Sequence, residues 1–176
     1  MDERRANDRS AAIKWARSVT ADRRVVYLDT ETTGLKESAE IIDIAVVTGS
    51  GAVLFNSLVK PDRPIPEESS RIHGIYDDQV VDAPRWTEVS SWLATLLADT
   101  RVVVYNADYD STVINAACRR FGHPPIALGW ECAMLNYAAF VGEPGFRGDY
   151  RWHRLENAAA AFGILPGGHR ALEDAI

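Results

Sequence analysis

An apolar segment that ends in two acidic residues is the most restrictive feature of this sequence. Residues 25–28 are Val, Val, Tyr and Leu, and Asp29 and Glu31 follow with one residue between them. Side chains of a β-strand alternate between its two faces, so both carboxylates leave the backbone on the same side and can share one divalent cation. Thr32, Thr33 and Gly34 then favour a turn in which glycine permits the close approach of a ligand. The segment therefore predicts a metal site at the end of a strand.

The other hydrophobic patterns predict strands mixed with helices. The predicted strands cover residues 25–29, 41–48, 52–60 and 102–105, with a hairpin turn at 49–51. The predicted helices cover residues 11–19, 67–73, 86–98, 111–121, 132–140 and 155–162, and a last helix begins after residue 168. Strands led by a hairpin and followed by helices are typical of an α/β three-layer fold with a mixed sheet. We expect one domain over residues 1–176, with 1–24 as a leading helical segment.

Composition limits the class of protein. The 176 residues are 47% hydrophobic and 25% charged, which is ordinary for a globular protein. Cys118 and Cys132 are too few for a disulfide framework and lack metal-ligand spacing, which favours a reduced, cytoplasmic protein. The charged N-terminus lacks the apolar core of a signal peptide, and no apolar run reaches transmembrane length. We therefore expect neither secretion nor contact with a membrane.

The net charge is negative, but the charges are unevenly distributed, and this bears on whether the chain can bind nucleic acid. A net charge of −6 disfavours a general nucleic-acid binder, because non-specific binding depends on the neutralisation of phosphates. Residues 1–24 contain seven basic and four acidic residues, and we interpret this local excess of three positive charges as the solvated face of a helix. If divalent cations hold several of the acids elsewhere, a phosphate-binding site is compatible with an acidic chain.

Two further acids and a histidine lie at the ends of predicted elements. Asp110 follows the strand at 102–105, and Asp174 lies in the last helix, five residues after His169. If both of the last two residues were helical, they would lie about 140° apart around the axis, which does not fit a shared face. We therefore predict that His169 lies in the loop before the helix, where Gly167 and Gly168 let it approach a ligand.

Six segments of the chain, in order, resemble the DEDDh group of 3′ to 5′ exonucleases, the DnaQ-like family of the proofreading epsilon subunit of DNA polymerase III and of RNase T. The segments are "LDTETTGL" at 28–35, "IIDIAVV" at 41–47, "LVKPDRPIP" at 58–66, "RIHGI" at 71–75, "VVVYNADYD" at 102–110 and "HRALEDA" at 169–175. Any one of these motifs would be a weak signal, but their ordered agreement is specific. The resemblance implies an RNase H-like three-layer fold with a mixed five-stranded sheet.

The resemblance also implies the chemistry of the site. Asp29, Glu31 and Asp174 would hold a first divalent ion that carries the attacking water, and Asp29 and Asp110 a second ion. Hard oxygen ligands suit two Mg²⁺ ions, with Mn²⁺ as a substitute. Two such ions activate water and stabilise the charge on the leaving 3′ oxygen. His169 would take the proton of that water, a task suited to histidine because its charge changes near neutral pH.

The same resemblance implies a set of contacts to the terminal nucleotide. Leu35 would wedge against the base, and a contact to the face of a base accepts any sequence. Asn106 either positions the strand or caps the turn that follows it. Tyr105 and Tyr109 stand where the family commonly has His and Phe, and we expect shifted polar contacts without loss of chemistry. The implied substrate-binding residues are Thr30, Thr32, Thr33, Gly34, Leu35, His73, Ile75, Asn106 and Tyr109. Leu35 and Ile75 are also open to ordinary core packing, and we interpret Asp43 and His153 as surface or packing residues.

The predicted function is metal-dependent exonuclease activity that releases nucleoside monophosphates from the 3′ end of single-stranded DNA, or of RNA, with a polymerase or other replication or repair protein as a partner. Two alternatives stay open because the sequence stops at Ile176, two residues after Asp174, where the family's last helix commonly continues. One is a non-catalytic module that binds nucleic acid or a polymerase. The other is a subunit that is active only when a partner completes the terminal helix, since a helix cut short would hold Asp174 weakly.

Overall fold

The computed structural model describes residues 3–36, 38–126, 129–146, 148–165 and 167–176. Five strands form one sheet in the order β3-β2-β1-β4-β5. β1 pairs antiparallel with β2, and β2 with β3, whereas β4 pairs parallel with both β1 and β5. This mixed sheet confirms the α/β class. The strands are β1 (Val25–Thr32), β2 (Ile41–Thr48), β3 (Val53–Leu58), β4 (Arg101–Val104) and β5 (Trp130–Cys132).

Helices cover both faces of the sheet. On one face, Val26 and Leu28 of β1 join a buried cluster with residues of α4 and α5, such as Leu93 and Ile114. On the other face, α1 packs with α6, and α8 packs on β1 and β2. The expected three layers are therefore present. The helices of the described chain are α1 (Glu3–Ala21), α2 (Glu67–His73), α3 (Asp77–Val80), α4 (Trp86–Leu97), α5 (Ala107–Arg120), α6 (Ala133–Val141), α7 (Leu155–Ala161) and α8 (Ala171–Ala175).

The leading helix is longer than its hydrophobic pattern predicts. The pattern covers residues 11–19, whereas α1 begins at Glu3. Its early turns are rich in charged residues. Arg9 makes a cation–π contact with Phe140 in α6, 4.5 Å from the ring centroid. Farther along, the Trp15 indole donates a hydrogen bond of 2.6 Å to Glu131 in β5. Hydrophobic periodicity does not detect a helix that is held by such contacts.

Two short elements were not predicted as such. Residues 130–132 form β5, and the helical pattern assigned to 132–140 begins one residue later, in α6. All three β5 residues are half-buried, so the strand lacks the alternation that marks a strand in sequence, and its pairing with β4 creates it. The other element is α3, a single turn that is too short to show a helical period.

No helix in the described part of the chain is long and apolar enough to cross a membrane.

Candidate active site

Three carboxylates converge on the face of the sheet that α8 covers. Asp29 and Glu31 lie on β1, on the side opposite the Val26 and Leu28 core. Asp174 lies on α8, which packs against the sheet through Ala171 and neighbouring residues. One oxygen of each carboxylate lies within 4.8 Å of the others. The alternation of β1 thus brings Asp29 and Glu31 together, and α8 supplies a third hard oxygen ligand, a set that fits a divalent cation.

Asp110 lies beside this group and is more deeply buried. It lies in the first turn of α5, is 3% exposed, and accepts a hydrogen bond of 2.7 Å from the Thr30 hydroxyl. Among the described residues, the group of three that fits one ion does not include it. The proximity of Asp110 nevertheless contributes, after burial, to the raised pKa of Asp29. Thr30 is itself buried, so its hydroxyl orients Asp110 from the neighbouring strand.

The four carboxyl groups hold their protons more tightly than isolated ones. Burial first, and then the neighbouring carboxylates, raise the pKa of Asp29 well above its usual range. Burial, followed by the charge of Asp174, raises the pKa of Glu31 to about 8. Burial raises the pKa of Asp110 to about 7 against the opposing hydrogen bond from Thr30, and burial also raises the pKa of Asp174. Crowded acids of this kind favour a bound cation, since it offsets their repulsion.

His169 lies outside α8, as predicted from the spacing. Its φ is +55°, in the left-handed region, which costs a residue with a side chain about 1 kcal/mol. The ring is about half exposed, and its Nε2 atom lies 3.6 Å from Glu156 Oε1 in α7. Gly167 lies so close to the Asp174 carboxylate that a Cβ atom would overlap it. The glycine therefore allows the strained loop to carry His169 alongside the acidic group.

Asp43 is a site residue that the sequence interpretation missed. It lies on β2, pairs in register with Glu31, and is 2% exposed. Its Oδ2 atom accepts a hydrogen bond of 2.9 Å from the Arg170 guanidinium, which directly follows His169. Asp43 is therefore not a surface residue, and its burial requires the ion pair with Arg170, because a buried carboxylate needs a partner. Its position inside the apolar stretch "IIDIAVV" was the available signal.

The turn after β1 is fastened to α5. The Tyr109 hydroxyl donates to the Gly34 carbonyl at 2.6 Å and lies 2.5 Å from the Thr32 hydroxyl. Thr33 accepts a hydrogen bond of 2.9 Å from the Glu40 amide. Leu35 at the tip of the turn is 89% exposed, so a ligand can reach it. Phenylalanine would make neither hydroxyl contact, and retention of the chemistry with tyrosine at this position stays a prediction.

The remaining predicted nucleotide contacts differ in accessibility. Ile75 is fully buried with Ile42 and Val80, which corrects the expectation that its side chain flanks a nucleotide. His73 is also buried, and its Nδ1 atom accepts a hydrogen bond of 3.1 Å from the backbone amide of Ile75. Asn106 precedes α5 with φ at +65° and makes no side-chain capping bond. The side chain of Asn106 therefore does not cap the turn. The other role, positioning of the bound strand, stays a prediction.

A cavity of about 690 Å³ borders Asp29 and Asp174. Its walls are mostly apolar side chains from α1, α6 and α7, with Tyr105 at the end of β4. The acidic group is thus flanked by open space on the side away from α4 and α5.

Known proteins share both the sequence pattern and the fold. The family model described as "Exonuclease" matches residues 26–176. An uncharacterized exonuclease of Escherichia phage 186 is 41% identical over 157 residues, which cover 85% of this chain and 81% of that protein. The DNA polymerase III subunit epsilon of Treponema pallidum is 35% identical over 167 residues, which cover 92% of this chain and 75% of that protein.

Solved structures of exonucleases show the same architecture. E. coli exonuclease I in complex with a dA16 oligonucleotide has a TM-score of 0.71 at 18% identity, and the match covers 86% of this chain and 38% of that one. Exonuclease X in complex with 5′ overhanging duplex DNA has a TM-score of 0.60 at 27% identity, and the match covers 86% and 84%. The first likeness concerns the fold alone. Together with the family match, these structures confirm the RNase H-like fold.

Proposed function

Because this chain belongs to the exonuclease family, we propose that it is a cation-dependent 3′ to 5′ exonuclease of the DEDDh type. Its substrate is the 3′ end of a single strand, and its product is a nucleoside monophosphate. The observation that carries this proposal is the group formed by Asp29, Glu31 and Asp174, with one oxygen of each within 4.8 Å of the others. Asp110 and His169 complete the five residues that the chemistry needs.

The donor set fits divalent cations. In our proposal Asp29, Glu31 and Asp174 hold one Mg²⁺ or Mn²⁺ ion, and Asp29 with Asp110 holds a second. When bound, such ions lower the pKa of water and offset the charge that grows on the leaving 3′ oxygen. The raised pKa values of Glu31 and Asp110 support this assignment, because protons take the place of a cation when none is present.

His169 is the proposed proton acceptor. Its imidazole takes the proton of the attacking water and passes it to solvent, which a half-exposed ring allows. Glu156 lies 3.6 Å from Nε2 and stabilises the imidazolium that forms. The half-exposed ring turns between Glu156 and the phosphate by rotation of its own side chain, and the glycines before it let the loop adjust.

The substrate is bound by its terminal nucleotide. We assign the wedge against the last base to Leu35, held by the contacts of Tyr109 with Thr32 and Gly34. A contact to the face of a base does not depend on sequence, and a base-paired end must first unpair to reach it. The DNA complex of exonuclease X and the polymerase subunit named epsilon favour DNA over RNA, a polymerase as protein partner, and the cytoplasm as compartment.

The deciding experiment is cleavage of 5′-labelled single strands of DNA and RNA, matched in sequence, with Mg²⁺, Mn²⁺ or EDTA. We expect a ladder that shortens from the 3′ end, requires the cation and is stronger for DNA. Asp29→Asn should lower kcat on the order of 10³-fold, since several kcal/mol of charge stabilisation are lost. Asp99→Asn, an exposed acid before β4, is the matched control and should leave the rate unchanged.

Two results would contradict the proposal. Normal turnover by Asp29→Asn would exclude the acidic group as the site. Absence of cleavage by the wild-type protein, combined with binding of the strand, would favour the non-catalytic module or the partner-dependent subunit. Addition of a polymerase then separates these two, because only the second gains activity.

A further inference from the structure

A segment between α6 and α7 combines aromatic and basic residues. Residues 150–154 read Tyr-Arg-Trp-His-Arg and contain no acid, in a chain whose net charge is −6. The Trp152 side chain is 60% exposed, and Arg151 and Arg154 are exposed as well. An exposed indole between two exposed arginines offers a stacking face and positive charge together, the combination that suits the bases and phosphates of a nucleic acid.

The backbone of this segment is held at two points. The Tyr150 hydroxyl donates a hydrogen bond of 2.8 Å to Asp8 in α1. The His153 carbonyl accepts a hydrogen bond of 2.9 Å from Tyr105, and the His153 ring packs edge-on against Tyr137 in α6, 5.3 Å between centroids. Trp152 and Arg154 therefore project from a fixed backbone, so binding orders their two side chains and costs little backbone entropy.

The segment borders the candidate active site. Tyr105 directly follows β4, which runs parallel to β1 and so ends at the same edge of the sheet as Asp29 and Glu31. At the other end of the segment, Arg154 directly precedes α7. The first turn of α7 carries Glu156, the residue beside His169. A strand whose last phosphodiester lies at the carboxylates can thus continue past Trp152.

We propose that Trp152 and Arg154 bind the nucleotides on the 5′ side of the bond that is cut, with the indole stacked on a base and the guanidinium on a phosphate. The proposal rests on the exonuclease function proposed above. Within the described residues no carboxylate lies at ion-pair distance from Arg154, whereas Arg151 is paired with Glu143 at 3.6 Å. An aromatic face beside a free cation is the usual means of holding a single strand without reading its sequence.

The test compares two substrates that differ only on the 5′ side. One is a single strand of DNA about twelve nucleotides long, and the other is the p-nitrophenyl ester of thymidine 5′-monophosphate, which offers the same phosphodiester to water but no upstream nucleotide. Trp152→Ala should raise KM for the strand about tenfold and leave kcat/KM for the ester unchanged. Trp152→Phe should retain most of the affinity. Arg154→Gln should lower the dependence of log KM on log salt by about 0.7.

Matched controls lie on remote surfaces. Trp92→Ala removes another indole that is more than half exposed, which lies on α4 and packs against Phe55 on the other side of the sheet. Arg23→Gln removes an exposed arginine at the opposite end of β1. Neither should change KM for the strand by more than about twofold.

The outcomes separate this surface from the catalytic proposal. Equal losses on both substrates with Trp152→Ala, or no loss on the strand, would overturn the surface, and the second result would favour a protein as the occupant of Trp152. If the wild-type protein cleaves neither substrate, the exonuclease proposal fails by itself. Anisotropy of a labelled strand in EDTA then decides the surface, which is supported only if Trp152→Ala binds about tenfold more weakly and Trp152→Phe does not.

Discussion

The two faces of β1 differ in what they contribute to the molecule. Val26 and Leu28 point toward α4 and α5 and are almost completely buried among apolar side chains. Asp29 and Glu31, on the opposite face, point toward other acids, and their pKa values are raised by burial and mutual repulsion. The apolar face therefore stabilises the fold. The acidic face lowers the free energy of unfolding, because it holds repelling carboxyl groups in an arrangement that suits a cation.

The hydrogen bonds and ion pairs that hold the acidic groups in place join residues from distant parts of the chain. Thr30 orients Asp110, eighty residues later in the sequence. Arg170 pairs with Asp43 and fixes the chain between His169 and α8. The packing of Val26 and Leu28 needs no such contacts, because the hydrophobic effect is not directional. Substitutions on the apolar face should therefore change mainly stability, whereas those on the acidic face should also change turnover.

The largest effect is expected from the apolar face. Leu93→Ala should lower the free energy of unfolding by about 3 kcal/mol, since a fully buried leucine leaves a cavity among the α4 and sheet residues. Denaturant titration measures this loss, and turnover per folded molecule should stay normal. Leu135→Ala, at a half-exposed position of α6, should cost about 0.5 kcal/mol or less. A comparable loss at both positions would remove the distinction between core and surface leucines.

A smaller loss is expected where a charge on the site face loses its partner. Arg170→Ala leaves Asp43 buried without its ion pair and should cost about 2 kcal/mol, below the full penalty for a buried pair because Arg170 is partly exposed. Turnover should fall as well, because His169 is the preceding residue. The double variant Asp43→Asn with Arg170→Ala should recover part of the stability. Strict additivity of the two single changes would show that the pair is not coupled.

The acidic group predicts an unusual dependence of stability on pH. The pKa of Glu31 is about 8 and that of Asp110 about 7 in the folded protein, against about 4 for carboxyls in an unfolded chain. Between these values the folded state binds more protons, so the free energy of unfolding should fall as the pH rises from about 4 to about 8.

Thermal unfolding in EDTA measures this dependence, and added Mg²⁺ or Mn²⁺ should raise Tm more at the upper end of the range, where the carboxyls are free of protons. Glu31→Gln should flatten the pH profile and reduce the shift with metal. A wild-type Tm that is constant over the range, with no response to cations, would contradict the description of this face as a cation site.

The smallest effect is expected at the turn after β1. Tyr109→Phe removes a hydroxyl that contacts both Gly34 and Thr32 and should cost about 1 kcal/mol. KM for a single strand should rise modestly, because the turn carries Leu35. Tyr27→Phe is the matched control, since the Tyr27 hydroxyl makes no hydrogen bond within the described residues, and it should be neutral. Equal effects of the two changes would mean that the Tyr109 contacts do not hold the turn.

Several patterns that depend on near neighbours in the chain predicted their elements correctly. The spans of β2 and α2 agree with prediction, and so does the position of His169 before α8. The shared face of Asp29 and Glu31 also follows from the alternation of one strand. Each of these depends on spacing within a few residues, which the sequence displays directly.

Other features depend on contacts between residues far apart in the chain. The three-residue strand β5 exists because β4 lies beside it, and Ile75 is buried because Ile42 and Val80 close over it. The ion pair of Asp43 was not predicted for the same reason, since its partner Arg170 lies 127 residues away. No local pattern records such a contact.

The sequence by itself determined the family, the strand that carries two carboxylates and the loop that carries a histidine, because these are properties of residue type and spacing. The resemblance also predicted that Asp174 joins Asp29 and Glu31, and the structure brings the three together. Only the tertiary structure decided that Asp43 is a buried ion partner, that Ile75 is buried away from a ligand, and that Trp152 stands exposed beside the site. The physical reason is that burial and charge coupling depend on which distant elements pack together, and packing minimises the free energy of the whole chain.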